Sequence, residues 1–392
     1  MENGFVMSLI PVNGTTKTAR FLILVFNAVG MAGKMENISN GDGNHRAVIF
    51  QGRPCTELKR NSTSSLVVIS YYCICFVPAN PRFNASDLLE HSRNGRIVFA
   101  GDSIGRNQWE SFVCMLAQAV PNKSTIYEEN GKPITKHKGF LSMRFQEYNM
   151  TVEYYRVPFL VVIGRPPQNS SQEVQRTIRV DELHWFSKKW IGANVLIFND
   201  GHWWNEDKTS KMGIYFQEGG KINTTMDVME AFRRSLQTLK SWVIKNLDRE
   251  RSHTFFRSYS PVHYRQELNI SRTARISFTF ELCRNGTWNK GGFCDREREP
   301  ETIYTRLGAE ALNNHFISDV IKQMRNENRK VQFLNITYLT EFRSDGHPSF
   351  HREPGTPTNA PQDCSHWCLP GVPDTWNELL YAYLLSMEFK TK

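Results

Sequence analysis

No apolar run in this sequence is long enough to cross a bilayer as a helix, which takes roughly 18 to 20 residues. The best candidate, Phe21 to Gly33, follows Lys17 and Arg20 and is 13 residues long. It reads as the start of a signal or anchor that falls short of a span, and the run from Leu66 to Val77 is no longer. No basic stripe is interleaved with aromatic residues, which argues against a nucleic-acid partner. No glycine-rich phosphate loop of the kind an acetyl-CoA-type donor would need is apparent. A zinc site fails on ligand count: Cys364, His366 and Cys368 crowd together and no second clear pair exists. Neither a metal nor an organic cofactor is expected.

What is present points to a secreted or lumenal globular protein. The 392 residues allow one large or two ordinary domains and read as one domain behind an N-terminal lead. A formal net charge of +9 favours acidic partners, such as an anionic membrane or an acidic polysaccharide, or simply keeps the chain soluble. Eleven Asn-x-Ser/Thr triplets, at Asn13, Asn37, Asn61, Asn84, Asn122, Asn149, Asn169, Asn223, Asn269, Asn285 and Asn335, argue for the secretory route. In that compartment the eight cysteines are candidate disulfide formers. A bridge from Cys364 or Cys368 would pin the loop that carries His366.

The hydrophobic pattern alternates strands with helices. Arg96 to Ala100 is strand-like, Gly101-Asp102-Ser103 turns, and Arg106 to Leu116 has helical period. One or two strands are expected over 151–163 and a strand over 194–198. A helix capped by Thr225 follows, then strands over 254–256 and 331–336 around a helix over 309–324, and a last helix capped by Asp374. Such alternation implies a three-layer α/β sandwich with a mostly parallel sheet.

The strand-turn-helix unit lifts Ser103 to the rim of the sheet, where open α/β sheets bind ligands. Near the other end, Asp363 and His366 stand at i,i+3, so one loop can present both. Serine, histidine and aspartate are the groups that acyl transfer through a covalent serine intermediate requires. Asp102 is expected to brace the turn.

The strings GDSIGRNQWESFVCML and DCSHWCLPGVPDTWNELLYAYLL, with SPVHY, GTWNKGGFC and RSDGHPS between them, resemble the plant trichome birefringence-like proteins, which pair a GDS segment with a DxxH segment. The resemblance covers roughly residues 81 to 390 and implies an SGNH-hydrolase-like core with a minor lobe. It also implies acetyl transfer to a cell-wall polysaccharide, Golgi residence with a lumenal catalytic domain, a single-pass anchor within about residues 18–33, and a Cys294–Cys364 bridge. Residues 1–80 form a divergent lead to the catalytic domain at 81–392, and residues 265–284 stand as an insertion.

On this reading Ser103 is the nucleophile, His366 the base, and Asp363 the group that holds the imidazole tautomer. Oxyanion donors are expected from the Ser103 N–H and from Asn199 at a strand end, with Asn107 as a rival. His202, Trp203 and Trp204 are candidates for a sugar platform, and Arg106 is a candidate cation for an acidic sugar unless it pairs with Glu110. His263, His347 and Asp345 are secondary candidates, expected mainly to hydrogen-bond loops. Three functions compete: a polysaccharide O-acetyltransferase, an acetylesterase with the same triad, and a wall-polysaccharide-binding protein without turnover. The stretches PITKHKGFL and TVEYYRVPFLVV look most like the pectin-associated subgroup, rhamnogalacturonan included, with xylan as the alternative. An acetyl donor is required, and its identity is not encoded in any motif.

Overall fold

The computed structural model describes residues 83–391 apart from 136–137, 267–286, 304–305, 352–355 and 358. The lead expected over 1–80, with its anchor, and all but the first two residues of the insertion lie outside the described residues. Within them, no helix is long and apolar enough to cross a membrane.

In chain order the elements are α1 (Ala85–His91), β1 (Arg96–Gly101), α2 (Ser103–Ala117), β2 (Ile126–Glu128), β3 (Phe140–Phe145), β4 (Met150–Arg156), β5 (Val161–Gly164), β6 (Arg176–Leu183), α3 (Ser187–Trp190) and β7 (Val195–Asn199). There follow β8 (Ile214–Glu218), β9 (Lys221–Asn223), α4 (Val228–Asn246), β10 (His253–Arg257), α5 (Leu312–Asn326), β11 (Val331–Leu334), α6 (Thr337–Glu341) and α7 (Val372–Ser386). Seven strands form the central sheet in the order β11-β10-β7-β1-β4-β3-β2. The five from β11 to β4 run parallel, and β3 and β2 are added by antiparallel pairing, β3 with β4 and β2 with β3. A second, four-stranded sheet has the order β5-β6-β8-β9. The expected α/β architecture with a mostly parallel central sheet is thus observed, and the smaller sheet is its second component.

β1 is covered on both faces, which is why it reads as an unbroken apolar run rather than an alternating one. Its Ile97 and Phe99 enter the core under α1, α2 and α7, with Trp109, Phe112, Leu380 and Leu384. Its Val98 and Ala100 enter the opposite core under α4 and α5, with Phe232, Leu236, Leu239 and Ile321. Each fully buried large side chain contributes about 1.5–3 kcal/mol of transfer free energy. The two clusters hold the central strand from both sides and leave its C-terminal end as the rim.

Several expected boundaries move for local reasons. The stretch 151–163 becomes two strands in different sheets, β4 and β5, because Pro158 and a left-handed Leu160 (φ 56°) break it. The cap of α4 is Asp227, not Thr225, and it accepts from the N–H of Met229 and Glu230. Asp374 lies inside the first turn of α7, where its carboxylate accepts from the Gly371 N–H at 2.9 Å. The helix expected over 309–324 starts later, at Leu312.

Candidate active site

Ser103 is the first residue of α2, directly after β1. Asp102, fully buried, caps that helix by accepting from the N–H of Ile104 at 2.9 Å and Gly105 at 3.4 Å. The cap leaves the Ser103 N–H outside its hydrogen bonds. Tyr154 donates its hydroxyl to the Asp102 carbonyl at 3.0 Å and ties the turn to β4. Gly101 and Gly105 make room for Asn199: a Cβ built at either position would stand 2.1 Å or 1.8 Å from its Oδ1.

The distant loop delivers His366 to this turn. Its Nε2 lies 2.7 Å from Ser103 Oγ, and its Nδ1 lies 2.9 Å from Asp363 Oδ2. Asp363 also accepts from the backbone N–H of His366 at 3.0 Å and from that of Ser365 at 3.2 Å. One carboxylate therefore orders both the loop backbone and the ring.

Five contacts fix the loop. Asn107 receives the Trp367 N–H at 2.7 Å and donates to the Trp367 carbonyl at 3.1 Å. Trp367 donates its indole N–H to Ser260 at 2.9 Å. Cys294 and Cys364 form a disulfide with a Cα separation of 5.9 Å. Ser349 pairs with Asp363 in a short antiparallel bridge. His347 Nδ1 lies 2.6 Å from the His366 carbonyl, and its Nε2 lies 2.7 Å from His263 Nδ1. A carbonyl only accepts, so His347 carries its proton on Nδ1 and His263 donates to its Nε2. His263 Nε2 in turn faces Glu341 at 3.8 Å.

The ionisation states follow from these neighbours. Burial raises the Asp363 carboxyl, but the His366 ring and the two N–H bonds outweigh it and hold the group far below its ordinary value. Burial depresses His366, yet Asp363 more than compensates and the imidazole rises above 6.5. Beneath the turn, burial pushes Asp102 up, while His202, Arg257 and Asn199 pull it down to about 2. Its neighbour Asp200 is driven well above the carboxylate range by burial and by the Asp102 charge. Burial lowers the fully buried Arg257 to about 10, with Asp102 opposing the fall, and lowers His347 to about 3, helped by His263.

The structure brings Ser103, His366 and Asp363 together and redistributes most of the other candidates. Asn199 spends its amide on Asp102 Oδ1 at 2.6 Å, a bond that braces the serine turn. Asn107 clamps the histidine loop through both amide atoms and is not an oxyanion donor. Arg106 is buried and pairs with Glu110 at 2.7 Å, so it is not a sugar-facing cation. His202 belongs to the interior network: it meets Asp102 at 3.3 Å and the Ser260 carbonyl at 2.8 Å, and stacks on Tyr259. Trp204 is core, donating to Asp200 at 2.8 Å. Of the expected sugar platform, His202 and Trp203 are partly exposed and Trp204 is buried, in the turn that follows β7. Asp345 pairs with Arg343 at 2.8 Å. Arg257 was not anticipated; a charged residue directly after the apolar pair Phe255-Phe256 was its one signal. The expected Cys294–Cys364 bridge is present, and among the described residues Cys114 and Cys368 are exposed and form no disulfide.

Comparison with known proteins agrees with this arrangement. Residues 81–383 match the PC-Esterase model, described as a GDSL/SGNH-like acyl-esterase family found in Pmr5 and Cas1p. The chain is 65% identical over 312 residues to protein trichome birefringence-like 9 of Arabidopsis thaliana, covering 80% of this chain and 71% of the relative. It is 43% identical over 307 residues to protein trichome birefringence-like 6 of the same plant, covering 78% of this chain and 59% of the relative. Identity to protein trichome birefringence is 40% over 311 residues, covering 78% of this chain and 47% of that protein. The chain thus spans between about half and seven-tenths of the length of these relatives. With a serine after the first strand and an Asp/His loop closing on it, this chain belongs to the PC-esterase family of GDSL/SGNH-like acyl-esterases, among the trichome birefringence-like proteins.

Proposed function

We propose that the protein is an O-acetyltransferase that moves acetyl groups onto a plant cell-wall polysaccharide through an acetyl-serine intermediate. The observation that carries this reading is the unbroken chain from Ser103 Oγ through His366 to Asp363, at 2.7 Å and 2.9 Å. Neutral His366 accepts the Ser103 proton at Nε2 as Oγ bonds to the acetyl carbon of the donor. The same proton passes to the departing group as its bond to that carbon breaks. A sugar hydroxyl then gives its proton to His366, attacks the acetyl carbon, and displaces Ser103 Oγ, which recovers the proton. Asp363 keeps Nε2 facing the serine and stabilises the imidazolium formed twice per cycle. The Ser103 N–H, at the opening of a helix, is placed to receive the oxyanion.

The acceptor we favour is pectin, rhamnogalacturonan included, over xylan, because the chain is basic and its 126–162 region resembles the pectin-associated subgroup. A lumenal Golgi site behind a membrane anchor accords with the sequons and with the disulfide, which persists in oxidising compartments. A second reading, acetylesterase, is favoured by one observation: the His366 side chain keeps 36% of its surface exposed, so water can reach the base. Purified protein incubated with an acetyl donor and with separate pectic and xylan oligosaccharides, followed by mass, separates the two. Transferase activity yields acetylated oligosaccharide and esterase activity free acetate. Ser103→Ala is expected to remove either product without altering the fold, and full activity in that variant would overturn the proposal.

A further inference from the structure

The loop that leaves β7 and the loop before the Cys294–Cys364 bridge meet at one lysine. Lys208 ends a short 3-10 turn, Glu206–Lys208, and its ammonium lies 4.1 Å from the ring centre of Trp288 and 5.4 Å from that of Trp203. Among the described residues its charge meets indole faces and no carboxylate. The adjacent acids face Lys211 instead: Asp207 at 2.8 Å and Glu206 at 3.8 Å. Asn289 donates to Asp207 at 3.4 Å, and Lys290 adds further positive charge beside it. Trp288 leaves 41% of its surface open, as does Trp185 at 61%, whereas Trp109, Trp190 and Trp376 are fully buried; of the two exposed indoles only Trp288 faces a lysine among the described residues.

Both loops emerge at the sheet edge that carries Ser103. Trp203 follows His202, which touches Asp102 at 3.3 Å, and Trp288 sits six residues before Cys294, whose disulfide partner Cys364 adjoins Asp363. The lysine and its two indoles thus sit on loops tied through these contacts to both the serine turn and the histidine loop. A sugar ring presents C–H faces that lie against indoles, and a uronic acid adds a carboxylate that an ammonium attracts.

We infer that Trp203, Lys208 and Trp288 form an acceptor subsite for a uronic-acid residue, with the sugar carboxylate on Lys208 and its C–H face on Trp288. This inference rests on the polysaccharide-acetyltransferase reading and assigns the residues that select an acidic acceptor. The test is equilibrium binding of a galacturonate oligomer to full-length Ser103→Ala protein, which needs no turnover. Adding Lys208→Ala or Trp288→Ala is expected to weaken binding about tenfold, the size of one exposed ionic or stacking contact. Loss of Lys208 alone should also flatten the salt dependence, while Lys322→Ala, on α5, serves as the control. Unchanged Kd in both variants, no binding by the parent, or equal binding of a neutral xylo-oligomer overturns the subsite. If Trp288→Ala proves misfolded by its melting temperature, Lys208→Ala decides. Acylation of wild-type Ser103 by a small acetyl ester is measured separately, so failure of the catalytic reading is distinguishable from failure of the subsite.

Discussion

Two glycines bracket the serine because Asn199 occupies the space their side chains would fill. Gly105→Ala would push a methyl group into that amide, loosening its bond to Asp102. Overpacking of this kind costs about 1–3 kcal/mol, so a lower melting temperature and slower acylation of Ser103 are expected together. His366 defines a second expectation at this scale. Its pKa is raised and the base must be neutral, so acylation should climb with pH through a midpoint above 6.5 and plateau beyond it. Asp363→Asn removes the partner that raises it. The midpoint should then shift downward, while the plateau falls by about three to four orders of magnitude, the loss seen when a triad aspartate becomes an amide. A pH-rate profile of single-turnover acylation checks both. The tripeptide Gly101-Asp102-Ser103 pointed in the sequence to Ser103, the proposed nucleophile. That Asp102 is the helix cap and Asp363 the histidine's partner was legible too, since only Asp363 stands near His366 along the chain.

At the scale of elements, His366 rides on a loop with no regular structure from 364 to 371, and its position is borrowed from three neighbours. α2 supplies Asn107, the segment after β10 supplies Ser260 and His263, and the segment after α6 supplies His347. His347→Ala leaves the His366 carbonyl without its donor. The prediction is a roughly 10- to 100-fold loss in acylation rate, the range for a supporting contact that orients a reactive group, with the pH midpoint little moved. A loss confined to melting temperature would count against this role. These supports were readable only in part: loop hydrogen bonding was the expected role of His263 and His347, but Asn107 suggested an oxyanion donor, and the two histidines, 84 positions apart, show no spacing that pairs them. Element types fared better, because 3.6-residue and two-residue periods are local. The split of 151–163 between two sheets was not local, since it depends on which partner strands each half finds.

For the whole molecule, the buried polar layer beneath the rim couples the site to stability. Asp102 titrates near 2 in the folded chain against 3.8 unfolded, so its contribution, about 2 kcal/mol, is fully present above 3.8 and is lost as pH falls toward 2. Asp363 is also depressed and acts in the same direction. Acid denaturation followed by circular dichroism should therefore show stability falling below pH 4, with a shallower fall in Asp102→Asn. Asp200 has the opposite sign, its raised pKa weakening the fold as pH rises above 3.8. From its sequence alone this protein determines the alternation of strands and helices, the serine at a strand end, the paired Asp and His, and the family, because each rests on short strings of neighbouring residues. Only the tertiary structure decides which polar side chains face the substrate. It spends Asn107, Asn199 and His202 on holding the turn and the loop and Arg106 on Glu110, and leaves Lys208 and Trp288 partly open to solvent. Burial and partnership depend on strands and loops that meet across the sheet edge, and no spacing along the chain records that meeting.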